Sequence, residues 1–421
     1  MKGFAVNRLS SSATLDDRVK HNQQPAPDSE YIERGTPQYV RVTLALFSAG
    51  LATFALLYCV QPIMPVLSHE FGVSPAASSL SLSLSTVLLA LGLLVTGPLS
   101  DAVGRKSVMV TALLLAACCT LLSAVMTSWH GILIMRALIG LSLSGVAAVG
   151  MTYLSEEMHP GVIAFSMGLY ISGNSIGGMS GRLLSGVITD FSSWRVAVTV
   201  IGCFALASAL MFWKILPPSR HFRPASLKPH SLLINFRLHW RDNGLPLLFA
   251  QGFLLMGAFV TLFNYIGYRL LAPPYFMSQA IVGLLSVVYL TGSWSSPKAG
   301  LMTAKFGRAP VLLFAIGMMI VGVLMTLFSS VWLILPGMML FTAGFFAGHT
   351  VASGWIGPRA RRAKGQASSL YLFSYYLGSS VAGTVGGVFW HQLGWQGITA
   401  FITLLLTAAL LVGVRLRSKQ L

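Results

Sequence analysis

Twelve apolar runs, each as long as the roughly 20 residues that a helix needs to cross a bilayer, constrain this chain more than any other feature. They fall at 43–66, 78–99, 107–127, 131–154, 162–188, 196–216, 246–268, 278–297, 309–328, 331–356, 367–390 and 396–414. Ser79, Ser81, Ser83 and Ser85 alternate with leucines, a strand-like period. The pattern continues through 87–95 without a turn, and a lone strand cannot cross lipid outside a closed barrel. The segment is read as helix, its serines bonding back to their own carbonyls.

Composition narrows the class further. Charged residues are 9% of the 421, against about 25% in an average globular chain. Basic residues outnumber acidic ones 28 to 11, for a net charge of +17. Nucleic-acid binders display such an excess on a polar surface, which this chain lacks. Cys59, Cys118, Cys119 and Cys203 sit in apolar runs without zinc or disulfide spacing. Gly104-Arg105-Lys106-Ser107 lacks the earlier glycine and the preceding strand of a phosphate-binding loop. No nucleic acid, metal or cofactor is expected, so transport energy must come from a gradient.

Twelve crossings put both termini on one side. With the N-terminus inside, only Arg136, Arg182, Arg195 and Arg269 of the 28 basic residues fall in the outer half. Basic loops face the cytoplasm, which predicts cytoplasmic termini in a bacterial inner membrane. The resulting divisions are a flexible polar tail (1–41), a six-helix bundle (42–216), a basic linker (217–245), a second bundle (246–414) and a short tail (415–421). The tail carries no cleavable signal pattern.

The two bundles repeat one another. At an offset of 203, Gly97, Gly104, Arg105 and Val108 match Gly300, Gly307, Arg308 and Val311. At 201, Leu169, Tyr170, Gly177, Gly186, Val187 and Trp194 match Leu370, Tyr371, Gly378, Gly387, Val388 and Trp395. The fold class is therefore all-α integral membrane, twelve transmembrane helices in two parallel six-helix pseudo-repeats. Halves of this kind rock about a site near the membrane midplane.

The loop after the second run reads Gly97-Pro98-Leu99-Ser100-Asp101-Ala102-Val103-Gly104-Arg105-Lys106. Its glycines permit close approach and a tight turn. Asp101 stands where a carboxylate can accept helix N-terminal amides and pair with a base; Arg105 and Lys106 can meet lipid headgroups. The loop resembles the signature of the major facilitator superfamily, Gly-x-Leu-x-Asp-x-x-Gly-Arg-Arg/Lys, at every fixed position. The resemblance implies that Gly97, Leu99, Asp101, Gly104, Arg105 and Lys106 latch the two halves and gate their rocking. The second copy, Gly300, Gly307 and Arg308, has Ala304 in place of the acid and is expected to latch weakly.

Arg136 and Gly140 resemble the family's Arg-x-x-Gln-Gly signature, with Ile139 for the glutamine. The resemblance implies a proton-linked arginine, and a charge within a span costs at least about 2.5–3.5 kcal/mol. Snorkelling to the outer interface is the alternative. Gly173-Asn174-Ser175-Ile176-Gly177-Gly178-Met179-Ser180-Gly181-Arg182 is similar to the antiporter signature Gly-x-x-x-Gly-Pro-x-x-Gly-Gly, with Gly178 for the proline and Arg182 for the last glycine. Gly173, Gly177, Gly178 and Gly181 suit helix packing.

Arg182 is a candidate for substrate or coupling work, against an interhelical pair or snorkelling. His349 can titrate near neutral pH. Asn174, Asn264, Tyr265, Tyr371 and Tyr375 add polar edges, as do Tyr58 and Gln61, each weighed against plain packing. In the family, runs 1, 4, 7 and 10 with parts of 2, 5, 8 and 11 line the cavity.

None of the eleven acids falls in mid-membrane. Exporters of cationic drugs commonly use a buried carboxylate, so a neutral or anionic solute is expected, a sugar-like metabolite or drug. Asp101, Glu156, Asp190 and His349 are the candidate proton carriers. The chain looks like the antiporter-like, drug and sugar efflux branch of the family, which implies proton-driven export by a monomer in the bilayer. Uptake stays open, because the span 5 signature is degraded. A sensor would need a soluble output domain, and 217–245 is too short for a core. An enzyme would need clustered acids, bases or ligands, which the sequence does not supply.

Overall fold

A computed structural model describes residues 31–222, 236–360 and 364–418. The part of the expected tail at 1–30, linker residues 223–235, and 361–363 and 419–421 lie outside them.

Lipid offers no partner to a backbone amide, so a crossing segment must satisfy its own as helix. The described residues are helical apart from turns and one isolated bridge, Ile32 to Met158. The helices are α1 (Pro37–Tyr58), α2 (Met64–Phe71), α3 (Pro75–Val103), α4 (Arg105–Val125), α5 (Trp129–Glu157), α6 (Pro160–Phe191), α7 (Trp194–Ile215) and α8 (Leu245–Leu271). Next, α9 (Gln279–Leu284) passes through the 3-10 turn Leu285–Val288 into α10 (Tyr289–Phe306). Then come α11 (Arg308–Met325), α12 (Val331–Arg359) and α13 (Lys364–Arg417). A helical stretch at 236–241 precedes α8. Hydroxyl caps fix several starts: Thr36, Ser74, Ser128, Ser193 and Ser278 each accept a backbone N–H three residues on.

Ten helices are long and apolar enough to cross a membrane, with α9–α10 counted as one. The 32-residue α6 adds another crossing. The 54-residue α13 folds back at Gly394, where φ is 57°. Gly378 on its first arm packs against Phe253, and Ala409 on its second accepts a hydrogen bond from Gln251. Both arms thus lie along α8, and with α6 the described residues hold twelve helical segments of membrane-crossing length.

Three boundaries differ from the sequence reading. The first run is not one helix over 43–66: α1 stops at Tyr58, residues 59–63 turn, and α2 starts at Met64. Pro62 and Pro65 remove the amides that a continuous helix would need. The tail also ends early. α1 begins at Pro37, and Ile32 is tied down, its N–H donating to Glu157 O (2.9 Å) and its carbonyl accepting from His159 N (3.1 Å). The eighth run, expected to end at 297, continues as α10 to Phe306.

The repeat becomes a spatial pseudo-twofold. Gly177 packs on Leu51 backbone and Gly378 on Phe253 backbone; Tyr170 and Tyr371 lie against Gly50 and Gly252. We call the end of the bundle that carries Pro37, Pro160 and Lys364 the tail side, and the opposite end the far side. On the far side the halves interlock. A Cβ at Gly186 would lie 2.6 Å from Gly283 Cα, and one at Gly387 would lie 2.3 Å from Ala76 Cβ. Ser380 and Thr384 donate to Ser83, and Ser286 donates to the Met179 carbonyl. The face of α6 that is buried at Arg182 and Gly186 is exposed at Gly168 and Ser172. The halves meet on the far side and separate toward the tail side.

Candidate functional site

The break in α1 delivers Gln61 to the seam between the halves. Arg182, on α6, donates from Nε to Gln61 Oε1 (2.6 Å) and from Nη1 to the Gly178 carbonyl (2.6 Å). Gln61 Nε2 donates in turn to Asn264 Oδ1 of α8 (2.7 Å). The Arg182 guanidinium lies over the rings of Tyr58 at 4.2 Å, Tyr289 at 4.7 Å and Phe263 at 5.9 Å. Arg182, Gln61 and Asn264 are all buried. A small cleft runs beside them, lined by Gln61, Pro62, Arg182, Phe263, Ile266, Val282, Leu285 and Ser286. Gln61 and Asn264 belong to different halves, so their bond ties the two together across the seam.

The span 5 glycines do two jobs. Added Cβ atoms at Gly173, Gly177 and Gly181 would lie 2.5, 2.2 and 2.6 Å from backbone atoms of Phe47, Leu51 and Ala55, so α1 and α6 touch backbone to backbone. Gly178 is different: its nearest neighbour is Arg182 Nη1, at 3.3 Å from such a Cβ. The two departures from the antiporter signature therefore sit in contact, the small residue beside the large cation.

The remaining candidates are not all brought together. Arg136 is buried within the first half, donating to the carbonyls of Ser81 (2.8 Å), Leu56 (2.9 Å) and Leu57 (2.6 Å). It caps the last turn of α1, where helix carbonyls lose their own partners, and it does not snorkel. Gly140 lets α5 close on α3, a Cβ there falling 1.9 Å from Ser85 O. Asn174 lies between α6 and α1, against Gly50. Tyr265 Oη donates to the Gly383 carbonyl (2.8 Å), a contact across α8 and α13. His349 bonds Tyr371 Oη through Nδ1 (2.9 Å) and lies 4.7 Å from the Tyr375 ring. These three form a second-half cluster that does not contact Arg182 directly but whose Tyr375 neighbours Tyr58 and Tyr289, the rings beneath the Arg182 guanidinium.

The loop at 97–106 folds onto its own half. Gly104 takes φ 111° to turn α3 into α4, but Gly97 and Gly300 have open space around them rather than a close helix. Arg105 pairs with Asp101 and, bidentately, with Glu156 (2.7 and 3.0 Å). Lys106 donates to the Leu216 carbonyl at the end of α7 (2.5 Å). The expectation that both bases meet lipid headgroups gives way to these contacts. Asp101 pairs with the base, while the amide of Gly104 goes to Ser100 O. Leu99 is exposed, and in the second copy Gly307 takes φ 82° ahead of the half-buried Arg308.

The two ends of the linker dock on opposite halves. Glu157 accepts from Ser219 and His221, and Asp242 accepts from Arg359 (2.9 Å) and from the amides of Gly244 and Leu245. Burial pushes the Asp242 carboxyl up, but Arg359 and the two amides outweigh it and hold the group below the usual carboxylate range.

Sequence reasoning placed Arg182 and Asn264 among the candidates but named Tyr58 and Gln61 only as polar edges. It missed Phe263 and Tyr289. The prolines at 62 and 65 beside Gln61 were a usable signal of a break; the two aromatics sit in apolar runs without one.

A family model described as Major Facilitator Superfamily matches residues 44–290. The chain is 76% identical over 414 residues to the Inner membrane transport protein YnfM of Escherichia coli K12, spanning 98% of this chain and 99% of that one. It is 46% identical over 380 residues to the uncharacterized MFS-type transporter YybF of Bacillus subtilis 168, spanning 90% and 94%. Among solved structures it resembles a bacterial homolog of the human lysosomal transporter Spinster, inward-facing and occupied. The TM-score is 0.72 at 12% identity, over 92% of this chain and 98% of that one. The nucleoside transporter NupG gives a TM-score of 0.72 at 13% identity, over 90% and 100%. At those identities the likeness is one of fold.

Proposed function

The chain belongs to the major facilitator superfamily and is a multi-pass membrane transporter, and from that premise we propose that it exports a small neutral or anionic solute by alternating access, driven by protons. The observation that carries this reading is the asymmetric seam. The halves are interlocked around Gly186 and Gly387 at one end, while the same face of α6 is exposed at Gly168 and Ser172 at the other. A solute entering from the exposed end reaches Arg182, Gln61 and Asn264, where residues of both halves meet. Rocking that breaks the far-side contacts would then release it on the opposite face.

The basic loops favour a cytoplasmic tail side, which makes the open end the loading end of an exporter in the inner membrane. A cation in the seam disfavours cationic drugs. The acids nearest a gate are Asp101 and Glu156, both paired with Arg105, and Asp190, which accepts the amide of Gln279 from the other half (3.1 Å). The protein acts as a monomer with its own cavity and carries out no covalent chemistry. The test is counterflow in proteoliposomes, with and without a pH gradient, over sugars, weak acids and cationic dyes. Uptake of a sugar or weak acid that responds to the gradient is expected. Strong exchange of ethidium-like dyes, lost on Arg182→Ala, would overturn the solute class.

A further inference from the structure

The seam holds a cation without a counter-ion. Among the described residues the ion pairs are made by Arg105, Arg195, His221 and Arg359, and Arg182 has no carboxylate partner. Its Nε and Nη1 are spent on two neutral acceptors, Gln61 and the Gly178 carbonyl, and Nη2 has no acceptor among the described residues. An arginine keeps its charge in a protein, and a buried charge is costly unless paired. The faces of Tyr58 and Tyr289 offset part of that cost without cancelling the charge.

Two polar atoms of the groups around it are buried and unsatisfied, Asn264 Nδ2, which lies against Gly383, and Tyr289 Oη. Native proteins leave few such atoms without a partner. Both belong to the second half, whereas Arg182 belongs to the first. The adjoining cleft wall is otherwise apolar, from Phe263, Ile266, Val282 and Leu285. A hydroxyl-rich sugar would find too few partners there. The repeat adds a further constraint: at the 201 offset, Gly383 stands where Arg182 stands in the first half. One half carries the charge and the other carries none, which suits one negative group per solute.

We propose that this seam, opened from its present narrow cleft as the halves part, binds a small organic monoanion, its carboxylate on Arg182 beside Tyr289, its apolar body against Phe263 and Leu285. The inference rests on the reading of the seam as the solute path and narrows it from neutral or anionic to anionic. It also explains why Gly178 and Arg182 depart together from the signature: a glycine at 178 leaves room for the guanidinium to lie over its own helix.

The test uses the purified full-length protein and three probes with one body and three charges: phenylacetate, phenylacetamide and phenethylamine. Phenylacetate is expected to raise the thermal midpoint, and the amide and amine are not. Arg182→Gln should weaken phenylacetate by about a hundredfold, as expected for losing one partner of a buried charged contact, and Arg182→Lys should recover part of it. If Arg182→Gln does not fold, Tyr289→Phe should still weaken the acid, and the wild-type comparison of acid with amide decides by itself. An amide that binds as well as the acid, or an acid response that survives Arg182→Gln, overturns the proposal. Exchange of neutral sugars in the counterflow assay without any phenylacetate response overturns the anion site and leaves the transporter reading standing. No exchange of any panel solute and no probe binding would sink both.

Discussion

Arg136 and Arg182 are both buried guanidiniums in apolar helices, yet their surroundings assign them opposite work. Arg136 spends its nitrogens on three backbone carbonyls of one half, at 2.6–2.9 Å. Those carbonyls belong to the end of α1 and to α3, and the break after Tyr58 is what leaves the first of them open. Arg182 stands on the boundary between halves with neutral side-chain, carbonyl and aromatic neighbours, of which Phe263 and Tyr289 belong to the other half. A saturated cation is a fastener. An unsaturated one at a moving boundary is available to a ligand.

The comparison breaks most readily at Arg136. Arg136→Leu takes the donor from three buried carbonyls, of which Leu56 keeps Cys59 Sγ and Ser81 keeps its place inside α3, and the expected loss of stability is about 1–3 kcal/mol, read by thermal unfolding in micelles. Arg136→Lys should restore only part, since one ammonium cannot span three carbonyls on two helices. A loss under about 1 kcal/mol would mean that the carbonyls find other donors and that the fastening role is wrong.

Arg182→Gln sharpens the contrast from the other side. It removes an unpaired buried charge, so stability should stay within about 1 kcal/mol of the parent or rise, while counterflow collapses. Equal destabilisation by the Arg136 and Arg182 variants would erase the distinction.

The smallest effect calibrates both. Arg359 does have a carboxylate, Asp242, at the partly exposed tail side. Asp242→Asn keeps an oxygen for the two amides and loses only the ion pair, worth at most about 1 kcal/mol. Because the folded carboxyl titrates below its unfolded value of about 3.9, the stabilisation is complete above that pH and disappears as pH falls through the folded value. Wild type and Asp242→Asn should therefore differ in thermal midpoint near neutrality and converge in acid; a gap that widens in acid would reverse the assignment.

Much of the fold was legible because lipid leaves so few options. Twelve apolar runs could only be helices, and the glycines of the repeat, Gly177 with Gly378 and Gly186 with Gly387, turned out to be packing points at matching places in the two halves. The site was less legible. Gln61-Pro62-Ile63-Met64-Pro65 marked a break in α1, but hydropathy alone ran straight through it. With the break unseen, nothing tied Arg136 to the carbonyls of Leu56 and Leu57. Tyr289 follows the 3-10 turn Leu285–Val288, which shifts the helical register, so no count along an ideal helix would bring it over Arg182. Gly97 illustrates the reverse case: a motif glycine whose close neighbour is absent in a conformation open at that end.

In the proposed alternating access, a pivot at the bond between Gln61 and Asn264 would lie off-centre. Along α6, Arg182 is nine residues from the far end and 22 from the tail end, or roughly 14 Å and 33 Å at about 1.5 Å per residue. A tilt of about 10° around that point would swing the long arms by roughly 6 Å but the short ones by only about 2 Å. Small, close-fitting glycines are enough to seal the short side, whereas the long side needs salt-bridged loops able to travel. The unequal lever lengths give the two gates different mechanical tasks, and the sequence equips them with different chemistry.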